Sequence, residues 1–445
     1  MIWPPIIDQT RPDQTRPDQT TYDFLYNKEQ YTKGLRTNQF LDKKLGYRII
    51  EDCFILPYTS VNEGGIFDSA GNYVKGSSWR EGGGWLELED RDNSGTNLAD
   101  LAELQGMSIS EARHVKDTAV YAGIFMGAWG HFITDSMRML WFLRSREYAE
   151  NFSQCRIAYL PGNNFRLEGN YRRLLEILGV DCSKLVPVTE LTGYDAVVLP
   201  DESFFMDLDN NQLRFFTQEY RNTVDAVRDF AIENMRPSKF RKVYYSYSRY
   251  TKNKSIGEDK LERYFASKGY EVICPETLSL DEQLNILANC ESFAATIGSC
   301  SYNMIFLRDN TEVILIPRSY YIGRPGYHSI VNQLHSLRIT HVDSSFSFLS
   351  QFNSGPFLYF ISSHLRKYFH DENTESIIDA SDFWKYVRMA TGYKFGRDFG
   401  AIIPQNNAGT YSYYAPVAAE YFRKICESSW PYRFRQMLKR LLRRS

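Results

Sequence analysis

Four runs in the second half of the chain decide the fold: KVYYSYS (242–248), YEVIC (270–274), SFAATIG (292–298) and TEVILIP (311–317). Each is short, rich in aromatic or β-branched residues and largely apolar, as strands covered on both faces are. Amphipathic stretches at 256–268 and 279–290, and a short one from about 301, separate them. Strands and helices alternating at this spacing predict parallel βαβ units.

The same theme runs upstream. TAVYAGIFM (118–126), RIAYLP (156–161) and DAVVLP (195–200) read as strands, with helices expected over His131–Arg146 and around Tyr171–Leu178. A long helix, from about Asn211 to Met235, is expected to stop before Pro237 and join the halves. The reading is an α/β chain with two Rossmann-like domains, 31–236 and 237–345, facing across a cleft. Ligands are expected at the carboxyl ends of the strands. Residues 45 to 95 read as β-rich with glycine turns. Residues 1–30, with the repeat DQTRPDQTRPDQT at 8–20, read as a low-complexity, disordered tail. Residues 346–445 form a C-terminal extension, irregular and then helical.

Composition excludes several classes. The 445 residues hold 52 Lys plus Arg against 54 Asp plus Glu, and this balance speaks against a nucleic-acid binder driven by bulk charge. Seven scattered cysteines without a C-x-x-C pair suit neither a disulfide framework nor a zinc module, and point to a reducing cytosol. No leader-like segment opens the sequence, and the Thr118–Thr134 stretch is too short to span a bilayer. The expected location is cytoplasmic, or peripheral on the inner face of the plasma membrane.

Three constellations carry the chemistry. In GHFITDSMRMLWFLR (130–144), His131, Asp135 and Arg138 fall at i, i+4 and i+7 on one helical face. An Asp four residues from a His can hold the imidazole in one tautomer, so the pair can deprotonate a hydroxyl, and Arg138 can hold a phosphate or carboxylate. The bland alternative is a buried polar pair with a surface arginine. In SYSRYTKNKSIGEDKL (246–261), Ser246, Ser248, Arg249, Lys252 and Lys254 precede a helix start with Glu258 in its first turn. That arrangement suits a phosphate, or is an ordinary solvated loop. In Gly298-Ser299-Cys300-Ser301-Tyr302-Asn303, a strand-to-helix turn lets backbone N–H groups approach an anion. Cys300 reads as a buried, inert thiol rather than a nucleophile. A competing signal is the D-x-D triplet Asp207-Leu208-Asp209, mimicked by Asp90–Asp92, which can bind a metal-nucleotide or simply cap the helix that follows.

These constellations, in this order, resemble glycosyltransferase family 61. The resemblance runs over about residues 115–320: His131, Phe132, Asp135, Arg138, Leu140 and Trp141; then Ser248-Arg249, Gly257-Glu258, Gly269–Glu276, Leu278–Leu280 and Glu282-Gln283; last, Gly298 and Asn303–Phe306. Met137 stands where the family often has Pro, and Gly257 where it often has Asn. The resemblance implies a GT-B-like architecture, with an acceptor-side first domain and a nucleotide-sugar-binding second one. It also implies inversion at the anomeric carbon, no metal, and no cofactor beyond a UDP-linked nucleotide-sugar co-substrate. His131 is then the base, oriented by Asp135, with Asp135 as direct base the alternative. Arg138 would touch the acceptor, and Ser248, Arg249, Lys254, Glu258, Glu276, Ser299 and Asn303 the donor. The acceptor would be a saccharide, lipid-linked, in bacterial surface or capsular polysaccharide synthesis. The rival readings are a metal-dependent D-x-D transferase and a non-catalytic nucleotide- or sugar-binding component of a polysaccharide assembly.

The C-terminus sharpens the charge argument. In RFRQMLKRLLRRS (433–445), Phe434, Met437, Leu438, Leu441 and Leu442 share a helical face, ringed by Arg433, Arg435, Lys439, Arg440, Arg443 and Arg444. The last fifteen residues thus hold six basic residues and no acidic one, leaving 46 basic against 54 acidic, a net −8, over residues 1–430. A basic amphipathic helix after Trp430-Pro431-Tyr432 suits an anionic membrane surface through Arg435, Lys439, Arg440, Arg443 and Arg444. Deleting residues 431–445 is expected to release the protein from anionic liposomes in a flotation assay, and unchanged binding would refute the membrane contact.

Overall fold

The computed structural model describes residues 19–25, 28–32, 39–59, 64–78, 97–104, 106–207, 213–249, 255–318, 328–346, 356–376 and 379–392. They form a mixed α/β structure built around two six-stranded sheets. The strand order of the first is Gly65–Phe67, Tyr47–Leu56, Thr192–Pro200, Arg113–Met126, Arg156–Gly162, Leu185–Pro187. Its last four strands are parallel, while Tyr47–Leu56 runs antiparallel to both its neighbours.

The second sheet is wholly parallel, in the order Thr21–Phe24, Arg338–Val342, Glu312–Ile316, Ser292–Thr296, Lys242–Tyr245, Glu271–Ile273. Chain order therefore reverses between Lys242–Tyr245 and Ser292–Thr296, which are adjacent although Glu271–Ile273 intervenes in sequence. Such a reversal opens a crevice at the carboxyl ends of the two strands. The first sheet has an equivalent point at Arg113–Met126, flanked by Arg156–Gly162 and the later Thr192–Pro200.

Strand alternation distributes the core. Val243, Tyr245, Phe293, Ala295, Val313 and Leu315 join one apolar cluster, which also takes in Leu284 and Leu287 of the helix Leu280–Asn289. Tyr244, Ala294 and Ile314 point the other way, against Leu261 and Phe265 of the helix Glu258–Ser267. The first cluster continues through Leu174, Val224 and Val227 to Val120, Phe125, Tyr159 and Val198 of the first sheet. One apolar core thus runs from sheet to sheet through the helices Gly169–Ile177 and Gln218–Glu233. At its rim Arg173 forks onto Asp281 at 3.0–3.2 Å, and Asn170 Nδ2 donates to the Leu278 carbonyl at 3.0 Å.

Three expectations need correcting. The tail expected over 1–30 contains the edge strand Thr21–Phe24, whose apolar Phe24 packs against the second sheet, while residues 1–18 lie outside the described set. The long helix begins at Gln218, not Asn211, because Leu213–Phe216 pairs antiparallel with Phe204–Asp207. The helix expected over His131–Arg146 is broken into Trp129–Phe132, a 3₁₀ stretch Asp135–Met139, and Leu140–Leu143. Thr134 sits at the break at φ −115°, ψ −83°, its hydroxyl bonded back to the Gly130 carbonyl at 2.7 Å. A hydroxyl bonding back to the preceding turn competes with regular helix in this way. Of the C-terminal extension, the strands Ser345–Phe346 and Phe357–Tyr359 and the helices Ser363–Tyr368 and Ala380–Gly392 are described.

Gly257 opens the helix Glu258–Ser267 at φ +80°, and a Cβ there would lie 2.2 Å from the Tyr359 carbonyl oxygen. Gly257→Ala is expected to cost at least about 2 kcal/mol, from left-handed strain plus that backbone contact, read as a lowered denaturation midpoint.

Candidate active site

The carboxyl end of Arg113–Met126 leads into a tight turn. A Cβ on Gly127 would fall 2.2 Å from the Asn163 carbonyl oxygen, so only glycine lets the chain fold back here. His131 follows, with Nδ1 2.8 Å from Asp135 Oδ2. The same carboxylate oxygen accepts from the Thr134 hydroxyl at 3.1 Å. Asp135 is nearly buried, its side chain 10% exposed, whereas that of His131 is 42% exposed. With the carboxylate accepting at Nδ1–H, the neutral ring presents Nε2 as its acceptor. The pair expected from the i, i+4 spacing therefore forms, although the helix carrying it is broken.

Arg138, whose spacing suited a phosphate or carboxylate, is buried rather than on the surface. Its buried guanidinium pairs with Glu202 at 2.9 Å and donates to the Ser78 carbonyl. Its own carbonyl accepts from the Ser203 amide and hydroxyl at 2.9 and 2.6 Å. The 3₁₀ stretch thereby turns it inward and locks the segment to the loop after Thr192–Pro200.

The carboxyl ends of the second sheet supply the facing wall. Ser299 and Asn303 lie in the turn after Ser292–Thr296, and this turn abuts the His131 segment. A Cβ on Gly130 would come within 2.7 Å of the Tyr302 ring and 3.2 Å of the Ser299 Cα. Trp129 Nε1 donates to Asn303 Oδ1 at 3.0 Å, and Asn303 Nδ2 donates to the Cys300 carbonyl at 2.9 Å. Both ends of the buried Asn303 amide are thus spent on holding the two turns together. Cys300 is buried as well, and burial pushes its thiol far above the usual range, in keeping with an inert side chain.

The other residues expected to bind a donor scatter around this wall. The Ser246 and Ser248 hydroxyls converge on Glu262 Oε1, at 2.5 and 2.6 Å. Arg249 and Glu276 are exposed, whereas Glu258 is buried, takes the Tyr247 amide at 2.9 Å, and has its carboxyl raised by desolvation. Lys252 and Lys254 lie outside the described residues, as do Asp90–Asp92, Asp209 and Arg435, Lys439, Arg440, Arg443 and Arg444. Asp207 ends the strand Phe204–Asp207. Among the described residues no group of three His, Cys, Asp or Glu side chains could hold a metal ion, and no helix is long and apolar enough to cross a membrane.

Two contributors escaped the sequence reading. Trp129 belongs to no motif, and neither does Arg318, directly after TEVILIP; its guanidinium lies against Gly298. Its only sequence signal is a lone cation at the end of a buried parallel strand.

The family model described as Glycosyltransferase 61 matches residues 129–314. The chain carries a glycosyltransferase 61 region. That region opens at Trp129, takes in the His131–Asp135 pair and the 298–303 turn, and ends within Glu312–Ile316. The activity it brings is glycosyl transfer. No curated protein matches the chain.

Glu202→Ala would strand the Arg138 charge, side chain 6% exposed, at the back of this region. The expected loss is about 3–5 kcal/mol, measured by chemical denaturation.

Proposed function

We propose that the protein transfers a sugar from a nucleotide-sugar donor to an acceptor hydroxyl in a single, inverting displacement. Two Rossmann-like units in a GT-B-like arrangement would supply the site. The observation that carries the reading is the apposition of the His131–Asp135 pair with the 298–303 turn through Gly130 and the Trp129–Asn303 hydrogen bond. A base from one sheet's carboxyl edge and an anion-receptive turn from the other's meet where acceptor and donor have to meet.

In this mechanism the acceptor O–H donates to His131 Nε2 as its oxygen attacks the anomeric carbon. The bond from that carbon to the diphosphate oxygen breaks, and the proton moves to the imidazole. Asp135 holds the ring in the accepting tautomer and stabilises the imidazolium that forms. The Ser299 and Cys300 N–H groups of the 298–303 turn, with Arg249, would take up the charge growing on the diphosphate, since those of Gly298, Ser301 and Asn303 are bonded within the turn. Arg138, paired with Glu202, positions the 3₁₀ segment and is not an acceptor ligand in this scheme. A saccharide acceptor on a lipid carrier, in surface polysaccharide synthesis, accords with the basic 433–445 segment.

His131→Ala is expected to lower turnover by about 10²- to 10⁴-fold, the usual worth of a general base. Asp135→Asn should also lower kcat, since the amide no longer fixes the tautomer. Assays of sugar transfer or of donor hydrolysis on the full chain would check this, and near-normal turnover in both variants would remove the assignment. Full activity in excess EDTA would remove the D-x-D rival. Nucleotide binding without turnover on any acceptor would favour the non-catalytic one.

A further inference from the structure

Beyond the end of the glycosyltransferase 61 region lies a cation without an ion pair among the described residues. Arg318 follows Glu312–Ile316, next to the strand that feeds the 298–303 turn. Its guanidinium carbon stands 4.4 Å from the centre of the Tyr247 ring and 5.0 Å from that of Phe357. A Cβ on Gly298 would be 2.4 Å from the same carbon, so glycine is what makes room for it. Two aromatic rings and a glycine thus enclose the guanidinium at the base of the turn.

What the arrangement withholds is a well-formed hydrogen bond. Arg318 Nε and Nη2 are buried and have no hydrogen-bond partner. The carboxylate that acts on it is Glu258, yet its Oε1 is occupied by the Tyr247 amide and its Oε2 has no hydrogen-bond partner among the described residues. Burial also holds that carboxyl above its ordinary range, which weakens it as a counter-charge. The hydroxyls of Thr296 and Tyr359 are buried beside it, the Tyr359 oxygen turned toward Arg318 and Thr296 without a well-formed hydrogen bond to either. Native structures rarely leave one such group unsatisfied, and a charged one is the costliest. Several around one arginine, at the carboxyl ends of parallel strands, mark a place completed by a ligand with several acceptor oxygens.

We propose that Arg318 anchors the diphosphate of the donor, its enclosed guanidinium donating to a phosphate oxygen beside Gly298. The proposal rests on the nucleotide-sugar reading above and adds to it a residue outside the family region. Arginine suits the task because its fork matches phosphate geometry while it stays against Tyr247 and Phe357.

The test is calorimetric titration of the full chain with UDP, GDP, ADP and CDP, with the corresponding monophosphates, and with inorganic pyrophosphate. Arg318→Gln is expected to weaken the preferred nucleoside diphosphate and pyrophosphate by roughly ten- to hundredfold, the worth of one or two charged hydrogen bonds. Monophosphate affinity should change far less. Arg318→Lys keeps the cation over the rings but loses the fork, and should also bind diphosphate at least about fivefold more weakly. If Arg318→Gln does not fold, the lysine variant decides alone. Wild-type diphosphate affinity in the folded variants overturns the anchor and leaves the donor reading intact. Pyrophosphate binding that depends on Arg318, with no nucleotide binding, keeps the anchor and removes the donor reading. A wild-type chain that binds neither removes both.

Discussion

Where the Trp129–Phe132 segment meets the 298–303 turn, two carboxyl edges are brought within van der Waals distance. Sterics and one partly buried hydrogen bond do this together. Gly130 offers no side chain to the Tyr302 ring, and the Trp129 indole N–H donates to Asn303 Oδ1. Its acceptor end is buried, so loss of the bond would leave the Asn303 carbonyl oxygen enclosed and unpaired. The helix Gln218–Glu233 adds to this contact from below, because its Val224 and Val227 belong to the apolar cluster that also holds Met304 and Phe132. The position of the base relative to the turn is therefore a packing property of the whole core, not of either sheet alone.

The charges of the region divide into two kinds. Arg138 with Glu202, and Asp135 with His131 and Thr134, are matched pairs whose partners come from the chain itself. Such pairs fix geometry and add modestly to stability. Glu258 and Arg318 are unmatched at Oε2 and at Nε and Nη2, and both sit at the carboxyl edge of the second sheet. The first sheet's edge is thus organised in advance, and the second sheet's edge is electrostatically incomplete.

How much of this was legible in the sequence depends on what the signal measures. The second sheet was, because Val243–Tyr245, Phe293–Ala295 and Val313–Ile316 are buried on both faces and leave unbroken apolar runs. The His131–Asp135 pair was too, since four-residue spacing brings the groups together even in an irregular helix. The break at Thr134 was not: periodicity records where apolar residues fall, and a threonine bonding back to Gly130 does not alter that record. Nor was the strand Leu213–Phe216, whose pairing to Phe204–Asp207 is a tertiary matter that helix propensity in the same stretch conceals. Arg249 was singled out for its motif and is exposed, while Arg318, without a motif, is the arginine that the fold encloses. Sequence identifies residues with local partners; a group whose partners come from four separate segments has no local trace.

The edge strand Thr21–Phe24 has a consequence for biosynthesis. Thr21 pairs with Thr340, 319 residues later, so among the strands of its sheet it is made first and completed last. At a synthesis rate of about 5–20 residues per second, its partner follows roughly 15–60 s behind. During that interval the opening segment has no ladder to join, and the growing sheet keeps a bare edge at Arg338–Val342 once that strand has formed. An unpaired parallel edge is a template for another chain. Covering it with the earliest-made strand of the same sheet makes closure of the sheet a late, intramolecular event.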